Sequence, residues 1–169
     1  SINVSADNND IDELADNKGN ISLNTLNAKN DVNISNGKGS ITSDNIKAGE
    51  KVEIADTKGN ISLTSIISDN SDIKITNESG IIKASGNIEA ENGNVAITDE
   101  TGAIDIQDVI ANAINLKNDE AAISAKDLNA TDTVNLANNI GSITTNNIKA
   151  GNDIEISDNS GDVSLAALT

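Results

Sequence analysis

Oxygen-bearing side chains recur in columns along this sequence, and the column best suited to chemistry is Asn36, Asp56, Asn77, Asp99, Asn118, Asn138 and Asp158, one member about every twenty residues. Carboxylates crowd this position in two consecutive copies, as Asp99-Glu100 and Asn118-Asp119-Glu120. Several such oxygens at a flexible loop suit a hard cation, and Ca²⁺ is the candidate. The Gly-Gly-x-Gly-x-Asp calcium nonapeptide is nowhere in the chain. Turn chemistry accounts for the same column without a ligand. Short Asx side chains bond nearby backbone and tolerate left-handed conformations, and stacked amides bond one another along an axis. The glycine that closes each turn (Gly19, Gly39, Gly59, Gly80, Gly102, Gly141, Gly161) fits the same role.

Three further groups of residues deserve the same weighing. Lys18, Lys38 and Lys58 form a short cationic ladder, and with Asp16, Asn36 and Asp56 beside it a solvated network fits better than an anion site. A row of Ser22, Thr42, Ser62, Lys83, Asp105, Ser124, Thr144 and Ser164 could present hydroxyls to a glycan, another fibre or ice, yet such residues are ordinary on a solvent-facing strand. Ile67 and Ile110, with Glu89 between them, are expected to face outward and to pack under a bulged turn or begin a lateral contact. Paired carboxylates can also act as general acid and base on a glycosidic bond. Arg, His, Tyr and Trp, which would clamp or stack a sugar, are all absent. No residue is therefore assigned a catalytic, cofactor-binding or metal-binding role. No cofactor is expected, and the chain is not expected to be an enzyme.

Positioning these columns are apolar residues that repeat with the same period. The first runs Ile21, Ile41, Ile61, Ile82, Ile104, Ile123, Ile143 and Val163, with Ile104 to Ile123 the shortest step and Ile82 to Ile104 the longest. Two places on comes a second inward residue, from Leu23 to Leu165. A large and small pair follows (Leu26/Ala28, Ile46/Ala48, Ile66/Ser68, Ile88/Ala90, Val109/Ala111, Leu128/Ala130, Ile148/Ala150), then a pair large at both positions, from Val32/Ile34 to Ile154/Ile156. Period two means extended segments, and the apolar set is β-branched and bounded by Asn, Asp, Gly and Ser, which argues against helix. A twenty-residue period of short strands and turns is the signature of a solenoid. The expected fold is all-β: a right-handed parallel β-helix with about 20 residues and three short strands per coil. Ser85-Gly86-Asn87 should lengthen one turn and Asn112-Ala113 shorten another.

A longer period overlies the short one. Ile41-Thr-Ser-Asp-Asn-Ile46-Lys-Ala48-Gly49 is echoed by Ile143-Thr-Thr-Asn-Asn-Ile148-Lys-Ala150-Gly151, so five coils have been duplicated together. The repeat covers residues 1–169 as one domain, with Ile2-Asn-Val4 and Ile11 to Leu14 as a degenerate first coil, and an excerpt of a longer solenoid is expected. With no Cys there is no disulfide framework, and no apolar run approaches the length of a membrane span. A formal charge of −16 and the absence of aromatic residues oppose nucleic acid and anionic lipid as partners.

The repeat Gly19-Asn20-Ile21, Leu26, Ala28, Asp31-Val32, Ile34, Asn36 and Gly39 resembles the filamentous-haemagglutinin repeats of bacterial two-partner-secreted exoproteins, the large adhesins and stalks of contact-dependent inhibition toxins. The resemblance covers nearly the whole chain and rests on repeat grammar. It implies a structural rod or spacer in a secreted, extracellular or cell-surface filament. The family's secretion domain carries an Asn-Pro motif, and a chain without proline lacks that domain; without arginine it also lacks an Arg-Gly-Asp motif. Expected partners are further coils of the same chain or head-to-tail copies of it, with a surface receptor at the tip. The alternatives are an extracellular fibre subunit that polymerises end to end and, behind it, a polysaccharide-degrading β-helix enzyme. Curli-type amyloid relies on regular Gln and aromatics, and Gln107 is the only Gln here.

Overall fold

The computed structural model describes residues 2–6, 11–16 and 19–169. These residues build a parallel β-solenoid of about eight turns, with strands and turns and no helix among them. One sheet has ten strands, from Ile2–Ala6 through Ile21–Ala28, Ile41–Ala48 and Ile61–Ser68 to Val163–Leu168. The other has eight, from Ile11–Asp16 through Val32–Asn36 and Val52–Asp56 to Ile154–Asp158. Once per coil the chain passes from one sheet, through a turn, to the other, so that every strand pairs with its counterpart a coil away.

The apolar columns of the sequence are the register of the sheets. Ile21 pairs with Ile41, Ile41 with Ile61, Ile61 with Ile82, and so on to Ile143 with Val163. In the second sheet Val52, Ile73, Val95, Ile114, Val134 and Ile154 stand in one line. A slip by one residue would turn this whole set to solvent, so burial fixes the register. The core is one continuous cluster from Ile21 to Ile148, against which Leu14, Ile154, Ile156 and Leu165 pack at either end. Small residues taper the second corner. Ala28, Ala48, Ala90, Ala111 and Ala130 are buried there. Ser68 takes the same place because its hydroxyl donates to the Glu50 carbonyl and accepts from the Ser71 N–H.

The first two expected strands of a coil run together. Ile21–Ala28 is a single eight-residue strand, and so are Ile41–Ala48, Ile61–Ser68, Ile104–Ala111 and Ile123–Ala130. Within it Leu23 and Leu26 both point inward while Asn24 and Thr25 face solvent. In a straight strand positions three apart face opposite ways, so the chain bends between them. Pairing steps from Leu23–Ser43 to Thr25–Asn45, leaving the intervening position out of the ladder. Only where Ser85-Gly86-Asn87 adds a residue does the run divide, into Ile82–Ala84 and Ile88–Ala90. The Asn112-Ala113 link is the short turn between Ile104–Ala111 and Ile114–Asn118.

Ile97 lies between Ile75 and Leu116 and is fully buried, whereas neighbouring Ala96 is half-buried on the outer face. Truncating Ile97 to Ala should cost about 2–5 kcal/mol, and Ile97→Asp more, because the charge would have no partner. Ala96→Lys should be tolerated; thermal melts followed by circular dichroism compare the three variants. Ser43 and Thr145 also face inward, and their buried hydroxyl oxygens have no hydrogen-bond partner. Thr145→Val, which keeps the shape and removes the stranded hydroxyl, should stabilise the chain by about 1 kcal/mol in chemical denaturation.

Candidate functional site

The polar column at the end of the short strands faces inward. Asn36, Asp56, Asn77, Asp99, Asn118 and Asn138 are all buried, and each pairs in register with the next. Their position follows from strand alternation: in Val32–Asn36, Val32, Ile34 and Asn36 share the inner face. The side-chain oxygen caps the turn that follows. Oδ1 of Asn36 accepts from the Lys38 N–H at 3.4 Å, Oδ1 of Asp56 from the Lys58 N–H at 3.0 Å, and Oδ1 of Asp99 from the Gly102 N–H at 2.8 Å. The asparagine amides do a second job. Nδ2 of Asn36 donates to the Gly19 carbonyl at 3.1 Å and Nδ2 of Asn77 to the Gly59 carbonyl at 3.0 Å, each one coil back. Asn118 does the same to Gly102.

The glycines are required by close approach as well as by conformation. Gly39, Gly59, Gly80 and Gly141 have positive φ between 106° and 155°. A Cβ on Gly59 would stand 2.0 Å from the Gly39 carbonyl oxygen, and one on Gly80 equally close to that of Gly59. Turn backbone thus stacks on turn backbone with no room for a side chain between coils.

The acidic turn proposed for calcium is divided by this geometry. Asp99 is buried and faces the interior, Glu100 is exposed, and Asp119 is held by Lys117 at 3.3 Å. Among the described residues no group of three or more Asp or Glu is placed to hold a metal ion. Of the lysine ladder, Lys38 and Lys58 are exposed, and Lys18 lies outside the described residues. The hydroxyl row is in register from Ser22 to Ser164, but an ion pair of Lys83 and Asp105 at 3.6 Å interrupts it. Beside the Ser85 insertion, Thr42, Asp44, Ser62, Thr64 and Lys83 line an open hollow of 140 Å³. Ile67 and Ile110 flank Glu89 in one column; Ile67 is half-buried and Ile110 is 38% exposed.

Two more side-chain ladders occupy the remaining turns. Oδ1 of Asn20 accepts from the Ser40 N–H, Oγ of Ser40 from the Asn60 N–H, and Oδ1 of Asn60 from the Ile81 N–H. Asp31, Asp72 and Asn94 serve Lys51, Asn94 and Ala113 in the same way. Their signal in the sequence is a polar residue just before the first residue of a strand, a column that Ile81 and several alanines interrupt. On the outer face of the short strands Glu53 sits between Lys51 at 3.0 Å and Lys74 at 3.1 Å, and their hydrogen bonds hold its carboxyl below the usual range.

No family model, curated protein or solved structure matches the chain. The geometry defines a β-solenoid whose polar columns are chiefly engaged with its own backbone. Calcium should accordingly bind weakly: millimolar Ca²⁺ should move the thermal midpoint by no more than about 1–2 °C, and titration calorimetry should give no stoichiometric site abolished by Asp99→Asn with Asp119→Asn.

Proposed function

We propose that this chain is a rod segment of a secreted, cell-surface filament of the filamentous-haemagglutinin type, an adhesin or a toxin stalk. In this reading it holds a binding or toxic tip away from the cell and does no chemistry of its own. The observation that carries the reading is the unbroken register from Ile21 to Val163. Eight coils stacked at ~4.8 Å make a rod roughly 40 Å long. Each coil is a right-handed turn with three faces, the bent long strand supplying two of them. The phase shift at Asn24-Thr25 and the divided strand Ile82–Ala90 support three faces, and the near-universal hand of parallel crossovers supports the right-handed sense. Against a polysaccharide-degrading enzyme stands the small size of the one lengthened turn, Ser85-Gly86-Asn87, which builds no cleft wall.

Excision of residues 41–142 tests the spacer role on cells that display the filament, since Ile41 and Ile143 occupy the same column. The filament should shorten by about 24 Å, five coils at ~4.8 Å, with secretion and tip binding unchanged. Loss of binding from a filament that is still displayed would assign the binding surface to this segment and overturn the reading.

A second reading is end-to-end polymerisation, which the axial direction of the inter-coil hydrogen bonds would support. In each earlier coil the first N–H of the long strand donates to the next coil, as Ile143 does to the Asp162 carbonyl at 3.0 Å. Concentration-dependent association in sedimentation, suppressed by Val163→Pro, supports polymerisation; a strict monomer at high concentration excludes it.

A further inference from the structure

The polar column, buried from Asn36 to Asn138 and half-buried at its two ends, spaces its carboxylates with asparagine. Its rungs are Asp16, Asn36, Asp56, Asn77, Asp99, Asn118, Asn138 and Asp158, and no aspartate pairs with another aspartate. Stacked at ~4.8 Å, two ionised carboxylates would repel strongly in a buried column. Asparagine between them prevents that but leaves a chemical asymmetry. Asn36, Asn77 and Asn118 each donate an amide hydrogen to the glycine carbonyl one coil back, at Gly19, Gly59 and Gly102. An ionised carboxylate has no hydrogen to give. The carbonyls in the equivalent position for Asp56 and Asp99 are those of Gly39 and Gly80, three residues beyond Asn36 and Asn77.

The oxygens concerned are poorly served in the charged state. Oδ2 of Asp56 is buried with no hydrogen-bond partner, and Oδ2 of Asp99 meets Nδ2 of Asn77 at a long 3.5 Å. Among the described residues neither carboxylate belongs to an ion pair. Asp56 is flanked by the neutral Asn36 and Asn77, while Lys38, Lys58 and Glu78 in the adjoining turns are exposed. Asp99 is flanked by Asn77 and Asn118; around it Glu78, Glu100 and Glu120 are exposed and Asp119 is bound to Lys117.

We propose that Asp56 and Asp99 are proton-binding rungs: in mild acid each takes a proton from solvent and, as a carboxylic acid, donates it to the Gly39 or Gly80 carbonyl of the preceding coil. The rod thereby gains two inter-coil hydrogen bonds and sheds two buried charges. Burial pushes both carboxyls above the usual aspartate range, a push opposed at Asp56 by the backbone N–H groups of Lys58 and Thr57 and at Asp99 by those of Gly102 and Thr101 and the Asn77 amide. The sign follows from linkage. A carboxyl raised in the folded state binds its proton more tightly there than in the unfolded chain. Its contribution to stability is complete below the ordinary value of 3.8 and is lost as pH rises through the folded value. Glu53 and Asp127, which are lowered, act in the opposite direction, so the total pH profile alone does not isolate the effect.

The double variant Asp56→Asn, Asp99→Asn supplies the amide donors permanently and isolates it. At pH 7 the variant should melt several degrees above the parent, and the gap should close as pH falls towards 4. Carbon-detected NMR titration of the parent, which needs no variant to fold, should show two aspartate carboxyls protonating above the others. A gap independent of pH, a variant less stable than the parent at pH 7, or Asp56 and Asp99 titrating at or below the other aspartates would overturn the proposal.

Discussion

Hydrogen bonding between coils is the constraint on which everything else depends. A single turn of this chain has no sheet of its own: each strand is three to eight residues long, and its N–H and C=O groups point along the axis at the turns before and after it. Bonds such as Ile21 N–H to the Ser40 carbonyl, Ile41 to Asn60 and Ile61 to Ile81, each 2.9 Å, link each coil to the next. An unpaired buried peptide group is costly. One coil is therefore unstable alone, and the apolar columns are the consequence, since only in-register stacking leaves both the backbone satisfied and Ile, Val and Leu out of water.

The turns obey the same constraint by other means. Where strand pairing lapses, side-chain oxygens replace the missing carbonyls, as Asn20, Ser40 and Asn60 do at one corner and Asp31, Asp72 and Asn94 at another. At the glycine corner the backbones lie too close for a Cβ, and the oxygens of Asn36, Asp56 and Asp99 cap the turn from the inner face. Asn is more useful than Asp in the buried column because it can accept from the turn and donate to the coil before it. The four aspartates there are spaced so that their charges do not stack.

Much of this was legible in the sequence because the period is short and strict. The columns headed by Ile21 and Val32 are seen in the sequence and recur unchanged as the register. The lengthened turn at Ser85-Gly86-Asn87 was visible from spacing alone and is where the long strand divides. The union of two expected strands was not legible. Asn24 and Thr25 look like a turn because both are polar and both face out, yet the bend is shallow enough for Thr25 to keep its pairing with Asn45. Polarity reports where a side chain goes, and backbone pairing persists through a corner. The division of the acidic turn was not legible either: Asp99 and Glu100 are adjacent in sequence, and strand alternation sends one inward and the other to solvent.

The direction of the backbone bonds also sets the mechanics of the rod. All of them run along the axis, so tension applied to the two chain ends does not shear many strands at once. It loads the bonds of the outermost coil, and the coils beneath are sheltered until that one has peeled. Each coil released frees about twenty residues, a contour of roughly 70 Å in place of a ~4.8 Å rise. The strict columns ensure that the newly exposed coil presents the same face as the one just lost, and the released segment has a template on which to rewind. In such a stack the coil, about twenty residues long, is the natural unit in which length is given up and regained.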